Sequence, residues 1–421
     1  MTELDPQASP QMNEEEKPQV TRRQFGRTAA AAGAAALVGA AGLAEWRLME
    51  HNLRLRAATQ PAVTGENSLV AHAVKKGILC GAAVVPHWLD VHGTARGRSR
   101  DPYTQLVSAQ TGVLVDEYTT YWKWLRPSPD RFDFSRVDRM MRFAKLTGKR
   151  VRGHVLVWYY AMPRWFARVA TKDNAPQLLV DHIRTVAGHM RGQIDTWDVV
   201  NEAIEPDDGR PDGLRKSQWL DLIGPDYIEL AFRAAAEADP QAKLAYNEFG
   251  IETDRPRDAR KRDKMLELLQ RLKTGGVPIQ VVGVQSHLLA MLPEPGVGII
   301  EFIREVGKMG LEVHISELDV NCMHVKGGAA ERDAVVARMY KNYLDLVVPE
   351  PNVKQVITWG ISDAHTWLKS AWLFNGVGLR HPWAGLVDAL RQRPLPFDEN
   401  YQPTQAFWAL RGALDAAPVK A

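Results

Sequence analysis

From about residue 77 onward the chain repeats one pattern. A short run of β-branched and apolar residues stops at a polar or aromatic residue. A longer segment follows, with apolar positions three and four apart. The short runs fall at 77–85, 112–118, 150–158, 194–202, 243–249, 279–287, 311–319 and 354–360. Runs of this length that are apolar at consecutive positions predict strands buried on both faces. The intervening segments, such as "SRVDRMMRFAKLTG", "APQLLVDHIRTVAGHM" and "DYIELAFRAAAEAD", predict amphipathic helices, several of which stop at Gly or Pro. Eight strands alternating with helices predict an α/β fold, a single (β/α)8 TIM barrel over residues 76–415. The competing arrangement is an open doubly wound sheet, which favours a phosphate loop; neither GxGxxG nor GxxxxGKS occurs.

Polar residues gather where the predicted strands end: Glu117, His154, Glu202, Asn247, His287, Glu317 and Asp319. That end of a barrel is where such folds carry their chemistry. In "TWDVVNEAI", Thr196 to Ile204, an apolar run closes on Asn201 and Glu202. "VHISELDV", Val313 to Val320, closes on Glu317 and Asp319. The fourth and seventh strands of a closed barrel face each other across its mouth, so their end groups can meet over one cleft. Two carboxyl groups flanking a bond are what glycoside hydrolysis requires. Glutamates at strand ends also serve as structural ion pairs, and these two stretches alone leave both readings open.

The rest of the composition narrows the class. Over 421 residues the formal net charge is +3, which gives no support for a nucleic-acid groove or a polyanionic substrate. Two cysteines, Cys80 and Cys322, cannot make a disulfide framework. Twelve histidines include no HExxH and no close ligand cluster, so no metal and no cofactor are expected. Residues 1–44 read as an export signal: a polar stretch containing "NEEEK", then Arg22, Arg23 and Phe25, then an Ala/Gly-rich run too short for a convincing membrane span. The paired arginines resemble a twin-arginine signal and predict a periplasmic or secreted bacterial protein, with no stable membrane association once the signal is removed. Residues 45–75 read as a helical lead-in and linker. Nothing in the sequence specifies an oligomeric state.

"WDVVNEAI" and "ISELDV" resemble the two catalytic signatures of glycoside hydrolase family 10, the xylanase family. The resemblance runs from roughly residue 75 to 412 and includes "RGHVLVWYYAMPRWF", "GVQSHL", "ITWGISDAHTWL" and "PLPFDENYQPTQAFWAL", in the family's order. It implies retaining hydrolysis of β-1,4-xylosidic bonds in xylan or xylo-oligosaccharides. Glu202 would then be the acid/base and Glu317 the nucleophile. Asn201 would hydrogen-bond the sugar 2-hydroxyl, and His287 and Asp319 would orient Glu317. His154, Lys123, Trp158, Asn247, Gln285, Trp359 and Trp367 would line the sugar-binding shell, the tryptophans offering apolar faces to pyranose C–H groups. The implied partner is a polysaccharide or oligosaccharide.

The family pattern breaks in two places. Where members usually carry Glu-Asn-x-Met-Lys-Trp, this chain has "TTYWKW", so Thr119 and Thr120 stand for the Glu and Asn that grip the sugar one step beyond the cleaved bond on the non-reducing side. Glu117, two positions earlier, is a candidate substitute. Where members carry Trp-His-Ser-Gln, this chain has "WYYA", Trp158 to Ala161. Both losses are expected on the glycone side. A longer stretch after the eighth strand, "KSAWLFNGVGLRHPWAGLVDALRQRP", is expected to narrow the cleft. These departures keep two alternatives alive: a retaining β-glycosidase for another glycan, such as a bacterial exopolysaccharide or an aryl glycoside, and a non-catalytic carbohydrate-binding barrel.

Overall fold

The structure is a computed structural model, which describes residues 63–369 and 390–420. The expected export signal, most of the lead-in and most of the stretch after the eighth strand lie outside the described residues.

Eight parallel strands form the expected barrel: β1 (Leu79–Val84), β2 (Val113–Asp116), β3 (Arg150–Val157), β4 (Thr196–Asn201), β5 (Lys243–Glu248), β6 (Val281–Val284), β7 (Glu312–Asn321) and β8 (Val353–Thr358). Each pairs with the next in parallel register, and Leu79 opposite Gln355 closes the ring between β1 and β8. A three-residue strand, His287–Leu289, extends the sixth stave and pairs with the outer end of β7. The strands are buried along nearly their whole length, as their continuous apolar sequence requires.

Helices cover the outside: α1 (Pro102–Gln110), α2 (Ser135–Thr147), α3 (Ala175–His189), α4 (Tyr227–Ala238), α5 (Pro256–Thr274), α6 (Val297–Lys308), α7 (Ala329–Val347) and α8 (Gln405–Ala416). The first stops at Thr111; α2 ends at Gly148, whose φ of 65° supplies the left-handed turn that an L residue resists. The three helices quoted from the sequence fall within a residue or two of their expected bounds. Inward apolar stripes such as Leu179, Ile183 and Val186 on α3 pack against the strands, and their burial is the main stabilising term of the fold.

The inside of the barrel is divided. On the β1, β2 and β8 side, Ala83, Val113, Val115 and Ile357 make a small apolar layer topped by Trp359. From β3 to β7 the interior is polar: Arg152, Asp198, Asn247, His314 and Ser316 are each at most 1% exposed. Gly283 makes room for this layer. A Cβ there would stand 1.9 Å from Asn247 Oδ1 and 2.8 Å from Arg152 Nη2, so any side chain would expel one of them.

Candidate active site

The polar layer is the foundation of the site. Arg152 donates through Nε to Asp198 Oδ2 at 3.0 Å and through Nη2 to the other carboxylate oxygen, while Nη1 meets His314 Nδ1 at 2.9 Å. Asp198 Oδ2 also meets His154 Nδ1 at 3.0 Å. Burial by itself would raise the Asp198 pKa, but Arg152 and His154 hold it below the usual carboxylate range. Burial would likewise lower His154, yet the bond to Asp198 and the charge of Glu317 raise it. A buried charge is tolerable only when paired in this way. His154 lies beneath Glu317, with Nδ1 4.0 Å from Oε1.

Above this layer sit the two glutamates. Glu202 follows the last residue of β4 and takes φ = 59°, a left-handed conformation that costs a non-glycine residue about 1 kcal/mol or more. Two bonds hold it there. Its N–H donates to Asn247 O at 2.9 Å, and its carbonyl accepts from Arg215 Nε at 2.7 Å. The carboxyl is thereby turned into the mouth, where Oε1 accepts from Gln285 Nε2 at 3.0 Å and Asn201 Nδ2 at 3.1 Å. Glu317 leaves β7 inside the strand itself. Oε1 accepts from Asn247 Nδ2 at 2.6 Å, and Oε2 meets His287 Nε2 at 3.1 Å. His287 Nδ1 meets Asp319 Oδ1 at 2.9 Å, and Asp319 Oδ2 accepts from Trp367 Nε1 at 2.7 Å. One chain of contacts thus runs from Trp367 to the nucleophile candidate.

The electrostatics separate the two acids. Burial raises the Glu202 pKa, and the negative charges of Glu248 and Glu317 add to it; the bond from Gln285 and the dipole of the nearby Trp158 indole N–H offset this in part. That indole N–H is buried and close enough to act on Glu202, but its geometry falls short of a hydrogen bond. Burial would lower His287, yet Asp319 and Glu317 hold its pKa well above the ordinary value, so it is a cation lying against Glu317. One carboxyl is therefore pushed toward its protonated form while the other has a cationic partner. That division of labour is what paired carboxyl groups need in order to act as acid and nucleophile.

With this geometry the comparisons converge. The model for "Glycosyl hydrolase family 10" matches residues 68–413. The chain belongs to glycosyl hydrolase family 10. A "Beta-1,4-xylanase" from Dictyoglomus thermophilum is 33% identical over 316 residues, covering 73% of this chain and 83% of that protein. An "Endo-1,4-beta-xylanase A" from Thermotoga neapolitana is 36% identical over 292 residues, which is 66% of this chain but 25% of that protein, so the chain spans only a fraction of the longer relatives. Xylanase 10B from Thermotoga petrophila RKU-1, solved in complex with xylobiose, superposes with a TM-score of 0.68 at 28% identity, covering 83% of this chain and 97% of that one.

Within this family-10 barrel the residues expected around the two glutamates divide into three groups. Asn201, Gln285, Asn247, His287, His154 and Asp319 all join the carboxylate network. Asn247 is nevertheless spent on protein atoms: its Nδ2 serves Asn201 and Glu317, and its Oδ1 accepts from Ser316 Oγ at 2.6 Å. It is a positioning residue and not a sugar contact, because a fully buried amide with these partners has little left to offer a ligand. Trp158, Trp359 and Trp367 frame the site. Trp359 stands edge-on to His154 at 5.2 Å, and Trp367 lies 5.3 Å from His287. Lys123 stays outside the network; it is exposed, with Nζ over the Trp124 ring at 5.4 Å.

The two family departures also resolve. Thr119 and Thr120 do not face the cleft at all. Thr119 N–H donates to Asp116 Oδ1 at 2.7 Å and its hydroxyl bonds the same carboxylate, while the Thr120 hydroxyl bonds the His154 carbonyl. Pinning these two leaves Glu117 and Tyr121 as the side chains this loop offers to the mouth. Glu117 is half-buried and makes no side-chain hydrogen bond or ion pair among the described residues. Burial, with the charges of Asp116 and Asp319, pushes its pKa up to about 8. The Tyr159 ring lies beneath Arg215 at 4.5 Å and feels the charge of Glu202. The two rewritten loops touch, Lys123 N–H donating to Ala161 O at 3.1 Å. Arg215 was not expected from the sequence. It lies in an irregular loop, and the one signal for it was an arginine close behind a strand-end glutamate.

Glu117 carries a stability prediction. Between the ordinary glutamate value of 4.5 and about 8 the unfolded chain is ionised at this position and the folded chain is not. The stability it contributes is therefore complete below 4.5 and drains away as pH rises toward 8. Glu117→Gln, which cannot ionise, is expected to raise unfolding free energy at pH 8 by about 1–2 kcal/mol and to change it little at pH 4. Urea unfolding at both pH values checks this; an equal effect at the two would contradict it.

Proposed function

We propose that this chain is a retaining glycoside hydrolase that cleaves β-1,4-xylosidic bonds in xylan or xylo-oligosaccharides by double displacement. The observation that carries the reading is the linked pair: Glu202, whose pKa burial raises, and Glu317 against a cationic His287, joined through Asn247, Asn201 and Gln285. Retaining chemistry expects the two carboxyl groups about 5–5.5 Å apart. The xylobiose complex and the xylanase names of the relatives support the choice of sugar.

In the first step Glu317 attacks the anomeric carbon as Glu202 gives its proton to the departing glycosidic oxygen. This leaves a glycosyl–Glu317 ester and a Glu202 carboxylate. Asn201 Nδ2 has one N–H beyond the bond to Glu202 with which to meet the 2-hydroxyl, where charge develops in the oxocarbenium-like transition state. His154 Nε2, without a protein partner among the described residues, is open to a sugar hydroxyl. In the second step Glu202 takes a proton from water, the resulting hydroxide equivalent displaces Glu317, and both carboxyls return to their starting state. Secretion belongs to the same reading, carried by Arg22 and Arg23; failure of the first 44 residues to export a folded reporter would remove it.

The test is a panel of β-xylans, β-glucans, exopolysaccharides and nitrophenyl glycosides, with proton NMR of the first-formed products. Xylan cleavage with the β anomer appearing first is the expected outcome. An α anomer appearing first is incompatible with double displacement. Turnover of another β-glycan with no xylan cleavage would favour a glycosidase of altered specificity, the reading that Thr119 and Thr120, turned away from the cleft, keep in play.

A further inference from the structure

We propose that Tyr121 is a substrate-contacting, specificity-determining residue on the glycone side of the cleft; this rests on the proposed function of the site. Three observations carry it. First, the backbone projects it. Thr119 and Thr120 are tied down on one side, and on the other Trp122 is buried with its indole N–H on Leu156 O at 2.7 Å. Tyr121 itself donates its N–H to Tyr118 O at 3.2 Å and accepts from Trp124 and Leu125 N–H at 2.9 and 3.0 Å. Held from both sides, its backbone is fixed, and its ring packs on Trp158 and His154.

Second, that place is the site. The ring lies edge-on to Trp158 at 5.2 Å and to His154 at 6.0 Å, two residues of the sugar-binding shell. Third, the phenol makes no hydrogen bond among the described residues, although the charges acting on it are those of the cleft: Glu317 most strongly, then Glu117, then Glu202. A hydroxyl on a partly buried side chain, among acids and with no protein partner among the described residues, suits a ligand hydroxyl. The side is set by the chemistry. The sugar that bonds to Glu317 is the glycone, and the leaving group departs over Glu202, so a residue packed on His154, whose Nδ1 lies 4.0 Å from Glu317 Oε1, addresses the glycone and the sugar beyond it.

Where relatives grip that outer sugar with a Glu and an Asn, this chain substitutes an aromatic ring with a single hydroxyl. Recognition there moves from several hydrogen bonds toward stacking, which tolerates a sugar with fewer free hydroxyls. The substrate class favoured is therefore a β-glycan substituted on the glycone side of the cleaved bond.

The test compares wild type, Tyr121→Phe and Tyr121→Ala on nitrophenyl xyloside, nitrophenyl xylobioside, xylotriose and an arabinose-substituted xylo-oligosaccharide, reading kcat and KM separately. Tyr121→Phe, nearly the same shape, is expected to lose about tenfold in kcat/KM on the xylobioside relative to its loss on the monoxyloside, mostly through KM. Tyr121→Ala is expected to lose the preference between substituted and plain oligosaccharides. Equal losses across all substrates would make Tyr121 merely structural, and no loss on any would remove it from the cleft; either result overturns the inference. If wild type hydrolyses none of these xylosides, the choice of sugar fails instead, and the same pair of variants is read on whichever glycoside the panel shows it does cleave.

Discussion

Glu317→Ala is expected to lower kcat on every glycoside by about 10⁴-fold or more, because the variant has nothing to attack the anomeric carbon. The loss should not depend on the leaving group. The first step needs the nucleophile whether the departing oxygen is a sugar alkoxide or a nitrophenolate. The cavity left by the carboxylate lies between Asn247 Nδ2 and His287 Nε2, two donors that had been 2.6 and 3.1 Å from its oxygens. A small anion such as azide fits such a place. With an activated nitrophenyl xyloside, azide is therefore expected to restore turnover and to yield the α-glycosyl azide, attack having come from the face Glu317 occupied. Product NMR reads the anomer. Unchanged hydrolysis without azide would show that Glu317 is not the nucleophile.

The parts of this site that lie on strands were legible in the sequence. Asn201, Glu202 and His287 stand at or beside strand ends, where a polar residue after an apolar run reaches the barrel mouth, whereas Glu317, expected at a strand end, projects from within β7. The network beneath them was only half legible. Arg152 and Asp198 sit inside "RVRGHVLVW" and "IDTWDVVNE", and an arginine within a buried strand demands an acid nearby. That the acid is Asp198 depends on register, which sets His154 opposite Asp198. Asn247 shows the limit of alternation. It does face inward as expected, but whether its amide reaches a sugar or a neighbour depends on what stands beside it.

Loops were the least legible. The Lys123–Trp124 pair aligns Thr119 and Thr120 with the family's sugar-gripping Glu and Asn, yet Asp116 accepts from Thr119 and folds the chain back at that point. With both threonines tied back, Tyr121 is the side chain that packs on His154 and Trp158. The signal was present in "VDEYTT": an Asp followed by hydroxyl residues often forms such a local turn. Arg215 is a second case. Its guanidinium binds the Glu202 carbonyl and covers Tyr159, and no periodicity in a loop could have indicated it.

Glu202→Gln separates the two steps of catalysis. The amide oxygen can still accept from Gln285 and Asn201, so the site is expected to keep its shape, but the group has no proton to release. A xylan bond, whose leaving alkoxide needs that proton, should lose about 10³–10⁴-fold in kcat/KM, the usual worth of a positioned general acid. A dinitrophenyl xyloside, whose leaving group departs unprotonated, should lose less than about tenfold in kcat/KM. Its kcat should still fall, because the second step now lacks the base that deprotonates water. The glycosyl–Glu317 ester then accumulates, KM falls with kcat, and a burst of phenol precedes slow turnover. The pH profile gives an independent reading. Burial and the charges of Glu248 and Glu317 raise the Glu202 pKa, so the alkaline limb of kcat/KM on xylan belongs to this group and lies above the ordinary glutamate range. The limb should vanish in the variant, since an amide does not titrate. Equal loss on both leaving groups, or an alkaline limb that survives, would place the proton donor elsewhere, and Glu117, which is also protonated near neutrality, is the group to test next.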